Sequence, residues 1–254
     1  MYFFIYEIII LCLIPFALLR LAYRALTNLF HLRYLNERFA LYPKKTSLIW
    51  GTRQTVWLHC VSVGETKAII NLIEILLKQY PRTYFVISHG TLTGRNVKLA
   101  NNSRIHRTYL PYDTKGGTKR FLSFYQPKVG LILETELWFN LIRQCKLKNI
   151  PLHLINARLS KKSLNKYLPF RRFINVALSE LNSIHVRSEE DLANFSELTK
   201  ANIKIMGNIK FDSKPPNGTQ EKINKLKKQL KVSKNFILVA GSTRSGEEKI
   251  LLSL

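Results

Sequence analysis

Carboxylates are the scarce side chains of this 254-residue sequence: 16 Asp and Glu face 40 Lys and Arg, a net charge of +24 at pH 7. A balance so one-sided points to a polyanionic partner: nucleic acid, anionic lipid or a phosphorylated substrate. Cysteine is scarce too. Cys12, Cys60 and Cys145 are odd in number and far apart, which excludes a disulfide framework and a cysteine metal site. They read as small buried apolar residues in a reducing compartment. There is no internal repeat and no low-complexity tract. With 46% apolar residues the chain can build a core, which excludes a disordered polypeptide.

No Lys or Arg precedes the apolar run YFFIYEIIILCLIPFALL (residues 2–19), and no small-residue cleavage site follows it. It therefore lacks the marks of a signal peptide. Its length is about the minimum for a bilayer span. Basic residues come next, from Arg20 and Arg24 through Arg33, Arg38, Lys44, Lys45 and Arg53, opposed only by Glu37. The positive-inside bias puts residues 20 onward in the cytoplasm, and such cations attract anionic headgroups. Glu7 and Pro15 interrupt the run. They leave two alternatives open, a segment dipping into one leaflet and a buried helix of the globular domain.

Beyond the basic stretch, short β-branched runs alternate with helical ones. TVWLHCV (55–61), TYFVISH (83–89), RTYLPY (107–112), KVGLILE (128–134), PLHLINA (151–157), SIHV (183–186) and NIKIMG (202–207) read as strands. Helices are expected at 67–80, from Gly116 and Gly117 through Phe124, at 137–148, through 160–182 and from Ser188. This alternation predicts a parallel sheet covered on both faces, with ligands at the carboxyl ends of the strands. SKPPNGT (213–219) is a linker signal. A basic helix (EKINKLKKQLKV) and a strand (NFILVAGS) then open a second domain, of which only a beginning is expected before Leu254.

Several strand ends carry polar residues. Ser62 and Glu65 in VSVGET have capping-box spacing, S-x-x-E. The same glutamate lies where a parallel sheet binds ligands and can take a proton from an attacking hydroxyl. Both readings stand, and they are compatible if substrate frees the side chain. Glu134 and Glu136 in ETELW share a face of an extended backbone, or form a charge pair at a helix start. No His or Cys lies near enough to make them a metal site. Arg158 in NARLS suits a phosphate or carboxylate, or pairs with one of those glutamates. SHGTLTGRN (88–96) is a glycine-bearing turn that offers amides to phosphate. His59 and His89 read as packed strand ends, and Lys210 in GNIKFD as solvated or ligand-facing.

VSVGE, TLTG, YLPYD, ETELW with Asn140 close behind, NARLS, SEEDLANF, GNIKFD and GSTRSGEE follow one another in one order. Together they resemble the Kdo transferases of Gram-negative bacteria, which attach 3-deoxy-D-manno-octulosonic acid (Kdo) to the lipid A precursor. The resemblance runs from about residue 13 to 248, including NERF after the anchor. It implies a GT-B glycosyltransferase, two Rossmann-like domains facing across a cleft. In these terms residues 1–24 are a membrane-anchor helix, 25–212 the acceptor-binding domain, 213–219 a linker and 220–254 the start of an incomplete donor-binding domain. The implied partners are CMP-Kdo, the lipid A precursor and an anionic membrane surface, at the cytoplasmic face of the inner membrane. Neither a cofactor nor a metal is implied at the reaction centre.

The family's proposed general base falls on Glu65. By motif, Ser62, Gly64, Thr93, Gly94, Glu134, Glu136, Asn156 and Arg158 are expected on the acceptor side. Lys210, Ser242, Thr243 and Glu247 are expected on the donor side. One motif departs from the family: GSTHPGEE reads GSTRSGEE, with Arg244 and Ser245 in place of His and Pro. A module that binds the acceptor without transferring sugar is the competing reading. Nucleic-acid binding rests on charge alone, and the anchor and carboxylate motifs argue against it.

Overall fold

The computed structural model describes residues 2–29, 32–43, 50, 52–212, 218–230 and 238–253. Helix α1 (Tyr2–Thr27) holds the apolar run. At 1.5 Å per residue it is about 39 Å long, more than the ~30 Å hydrocarbon core of a bilayer. Its length and composition suffice to cross a membrane. A short helix, α2 (Leu35–Arg38), leads into the sheet.

Seven parallel strands form that sheet: β1 (Gln54–Cys60), β2 (Thr83–His89), β3 (Ile105–Tyr109), β4 (Val129–Leu133), β5 (Leu152–Ala157), β6 (Ser183–Val186) and β7 (Ile203–Ile205). Their order is β3-β2-β1-β4-β5-β6-β7. From β1 the chain winds outward through β2 to β3, then returns to pair β4 with the other side of β1, Leu58 opposite Leu131 and His59 opposite Ile132. The order reverses there, and in an open α/β sheet such a switch point leaves a crevice beyond the strands' carboxyl ends.

Alternate side chains of each strand feed two cores. Trp57, Val86, Ile132, Leu154 and Ile184 point to one face, packed by α6 (Lys115–Tyr125), α7 (Phe139–Leu147), α9 (Arg171–Leu178) and α10 (Glu189–Leu198). Leu58, Phe85, Ile87 and Leu133 point to the other, closed by Ile69, Ile73 and Leu77 around α4 (Ile70–Gln79). Gly130 makes room for this packing. A Cβ there would lie 2.7 Å from both the Trp57 ring and Leu152. We expect Gly130→Ala to cost about 1–3 kcal/mol through overpacking; a denaturant midpoint equal to wild type would contradict this.

Boundaries depart from expectation in three places. The first crossover helix begins early, as α3 (Val63–Ala68), because Ser62 caps it; Ile69, at φ −89° and ψ −2°, then separates it from α4. The helix expected from residue 137 starts at Phe139, because Trp138 is extended. The third strand is Ile105–Tyr109, ending before Pro111. Short helices α5 (Leu92–Arg95) and α8 (Lys161–Tyr167) complete this part of the chain.

The chain divides into two compact units, Met1–Ser213 and Lys214–Leu254. Among the described residues of the second are the basic helix α11 (Thr219–Gln229) and α12 (Glu247–Leu252), and none of its described side chains is buried. The strand expected over NFILVAGS falls partly outside the described residues; Leu238–Gly241 are irregular.

Candidate functional site

At the switch point the turn after β1 meets the turn after β4. Ser62 ends the extended backbone of β1 and opens α3 with a complete capping box. Its Oγ accepts from the Glu65 amide at 3.3 Å and donates to Glu65 Oε1 at 2.7 Å. Glu65 Oε1 also accepts from the Ser62 amide at 3.2 Å, and Oε2 from the Val61 amide at 2.8 Å. The carboxylate is thus 5% exposed and fully engaged by its own turn. The structural half of the sequence reading is present as built; a proton-accepting role requires the side chain to leave these donors.

The turn after β2 holds that loop from the side. Thr91 Oγ1 donates to the Val61 carbonyl at 2.9 Å and accepts from the Gly94 amide at 3.1 Å. A Cβ on Gly94 would come within 3.1 Å of the Val61 oxygen and 3.2 Å of the Ser62 carbonyl carbon. Gly94 is therefore a close-approach glycine, whereas Gly64 and Thr93 are exposed. The Arg107 guanidinium, donating to the Gly94 and Val97 carbonyls, fixes the far side of this turn. Glu37 of the NERF stretch pairs with Arg95 and accepts from the Tyr109 amide.

Beyond β4, Glu134 has a left-handed backbone, φ 55°. The two glutamates of ETELW are therefore not related by an extended strand, and they precede α7 instead of opening it. Glu134 pairs with Lys210 at 3.0 Å. This places the lysine at the carboxylate cluster, where sequence alone left it solvated or ligand-facing, and Arg158 makes no ion pair with either glutamate among those resolved. Glu136 is partly buried. Burial first, then the charges of Glu65 and Glu134, push its carboxyl up from 4.5 to about 7. Three carboxylates thus converge at the crevice, and one of them changes protonation near neutrality.

That shift has a sign. A folded value above the unfolded one means that the group's stabilising contribution is complete below about pH 4.5 and is lost as pH rises through about 7. Glu136→Gln removes the loss. We expect its Tm to match wild type near pH 4 and to exceed it increasingly between about pH 5 and 8. A Tm difference that does not change with pH would contradict the placement of this side chain.

Beyond β5, Asn156 has φ 53° and no exposed surface; its Oδ1 accepts from the Ile209 amide at 3.2 Å. It anchors the 3-10 turn Ile209–Asp212 that carries Lys210. Arg158 is exposed, and its backbone is laced to Thr135, whose hydroxyl donates to the Arg158 carbonyl and accepts from the Arg158 amide. SEEDLANF supports NARLS from below. Asp191 accepts from the Leu159 amide at 2.8 Å, and Asn194 donates to the Leu159 carbonyl at 2.7 Å. Burial holds His59 down at about 4 and His89 at about 3, so both are neutral packing groups at physiological pH.

Sequence reasoning did not single out Asp113 by role. It accepts from the Asn140 amide at 3.0 Å and the Leu141 amide at 2.9 Å, so it caps α7 from a distant loop. It also receives the Tyr6 hydroxyl at 2.8 Å, while Glu7 accepts from Asn140 Nδ2 at 2.6 Å and from the Lys115 amide. The start of α1 is therefore docked beside the ETELW turn. The YLPYD motif and the nearby Asn140 were the available signal.

Ser242, Thr243 and Glu247 belong to the second unit. Thr243 donates to Glu248 at 2.5 Å, Glu247 accepts from the Arg244 amide at 2.8 Å, and Ser242 has φ 58°. Among the described residues no group of three or more potential ligands could hold a metal ion.

This is a Rossmann-like α/β domain with an acidic site at its topological switch point. The profile described as 3-deoxy-D-manno-octulosonic-acid transferase (kdotransferase) matches residues 33–213. The chain belongs to that family. It is similar to the 3-deoxy-D-manno-octulosonic acid transferases of Rickettsia felis (34% identical, over 80% of this chain and 43% of that one) and Rickettsia bellii (31%, 98% and 58%). The corresponding protein of Haemophilus influenzae is 33% identical over 86% of this chain and 51% of its own length. The chain spans about half the length of the curated relatives it matches. Among solved structures it is similar to the UDP-GlcNAc 2-epimerase of Neisseria meningitidis, with a TM-score of 0.45 at 17% identity, over 70% of this chain and 53% of that one.

Proposed function

We propose that Met1–Ser213 is the acceptor-side domain of an inverting glycosyltransferase that moves Kdo from CMP-Kdo to the lipid A precursor, lipid IVA. The observation that carries this reading is the position of Glu65, at the switch-point crevice and within the electrostatic reach of Glu136. An acceptor sugar entering the crevice replaces the Ser62 and Val61 donors around the Glu65 carboxylate. Glu65 then takes the proton of the acceptor hydroxyl. The freed oxygen attacks the anomeric carbon of Kdo, and its bond to the phosphate oxygen breaks. CMP leaves with that electron pair, so the configuration inverts.

The other carboxylates and cations have supporting parts. Glu136 and Glu134 accept from acceptor hydroxyls, and Arg158 faces a phosphate. Asn156 contributes by holding the turn of Lys210, which balances Glu134 and faces the donor's carboxylate. Gly94 and Ser62 set the turn; Gly64 and Thr93 leave their side of it open to the acceptor. Ser242, Thr243 and Glu247 are proposed donor contacts. Helix α1 and the basic residues after it keep the domain on the cytoplasmic face of the inner membrane, beside anionic lipid.

A second reading is favoured by the second unit, which buries none of its described side chains. On that reading the chain binds the acceptor and needs a separate donor-side chain for turnover. Equilibrium binding of lipid IVA beside a turnover assay separates the two: binding with transfer supports the first, binding without transfer the second. No binding would contradict both.

A further inference from the structure

An apolar groove of about 430 Å³ runs between the start of α1 and the α8–α9 corner. This volume is in the range of small-molecule sites. Ile5 and Ile9 of α1 line it together with Phe139, Tyr167, Phe170 and Phe173. Phe139 and Phe173 stack at 4.2 Å, and Tyr6 packs on Phe139 at 4.9 Å. Phe170 is 64% exposed, and Ile5 and Ile9 about half exposed. The groove is therefore open along its aromatic side.

Its two ends differ. At one end Phe139 lies three residues beyond Glu136, and the neighbouring Asn140 is bonded to Glu7 of α1. The groove thus begins at the first residue of α7, directly after the ETELW turn. At the other end it continues along Phe170 and Phe173 to Arg171 and Arg172, both exposed. Beside it runs the outer face of α1, where Phe4, Ile8 and Leu11 are exposed. A polar-headed ligand with an apolar tail fits these surfaces: hydroxyls at the carboxylates and a hydrocarbon in the groove.

We propose that this groove takes a fatty-acyl chain of the acceptor glycolipid whose sugar reaches Glu65. The inference rests on the reading of the Glu65 crevice as an acceptor site and adds the element that selects an acylated acceptor. Seating the chain orients the sugar and fills the apolar groove. An acceptor stripped of its acyl chains therefore binds less tightly even when its sugars and phosphates are intact.

The test is photolabelling of the full chain in detergent with lipid IVA that carries a diazirine at an acyl terminus, followed by peptide mapping. Labels are expected within residues 2–9 and 167–174. The exposed-site variant Phe170→Asp should lose most of this labelling and at least tenfold in lipid IVA affinity, with affinity for the deacylated analogue unchanged. Labels elsewhere, or equal losses for acylated and deacylated forms, would overturn the groove. So would displacement of the label by phosphatidylglycerol as readily as by lipid IVA, which would make the groove a bulk-lipid contact. If the wild-type chain binds neither form, the acceptor reading itself fails; if it binds both equally well, only the groove does.

Discussion

Glu65→Gln should lower Kdo transfer by about 10²–10⁴-fold, the usual contribution of a positioned general base. Lipid IVA binding should stay within a few-fold of wild type. The substitution keeps the shape, but its single amide oxygen can accept from only one of the Val61 and Ser62 amides, which use different Glu65 oxygens, so part of the cap is lost. Capping interactions contribute only about 0.5–2 kcal/mol. A variant that melts like wild type yet fails to transfer would assign Glu65 to chemistry. If Glu65 were a cap alone, the substitution would change Tm slightly and leave turnover intact. Ser62→Ala is the complementary control, because it removes the cap hydroxyl and leaves the carboxylate.

The second large effect concerns Asp113. Replacing it with alanine strands three donors, the Asn140 and Leu141 amides and the Tyr6 hydroxyl. Each orphaned buried donor costs about 1–3 kcal/mol, so a loss on the order of 3 kcal/mol or more is expected in chemical denaturation. Activity should fall as well, since α7 starts directly after the ETELW turn. Burial pushes the Asp113 carboxyl up to about 6 against the hydrogen bonds that favour its charge. Its folded value therefore lies above the unfolded one, and its contribution is lost as pH rises from about 4 through about 6. The deficit of Asp113→Asn relative to wild type should accordingly shrink between pH 4 and pH 7. A deficit that grows over that interval would mean that Asp113 is stabilised as an anion.

Much of this fold was legible because its rules are local. Alternating apolar runs bounded by turn residues marked the strands, and the S-x-x-E spacing marked the cap at Ser62, although the helix itself was expected only from residue 67. The parallel sheet followed from strand–helix alternation. The site was legible only in part. The capping role of Glu65 was read from its spacing and is present in the structure, and the sheet's carboxyl edge gathered Glu134, Glu136 and Arg158 as strand-end residues. What the sequence could not give are the partnerships that depend on strand order. Lys210 finds Glu134 across 76 positions, and Asp113 caps a helix that begins 26 residues later. Asn156 lies at a strand end, yet Met206, just past β7, and the 3-10 turn close over it. Nor does the apolar stretch of α1 announce that Tyr6 and Glu7 dock on the domain. Hydropathy records length and composition, and those two polar residues read only as interruptions.

The most direct test of the central claim is Kdo transfer by the full chain in detergent, with CMP-Kdo and lipid IVA, read by mass spectrometry for wild type and Glu65→Gln side by side. Wild type is expected to add a Kdo mass to lipid IVA and the variant to add none, with both proteins binding the acceptor. Equal transfer by the two would contradict the claim.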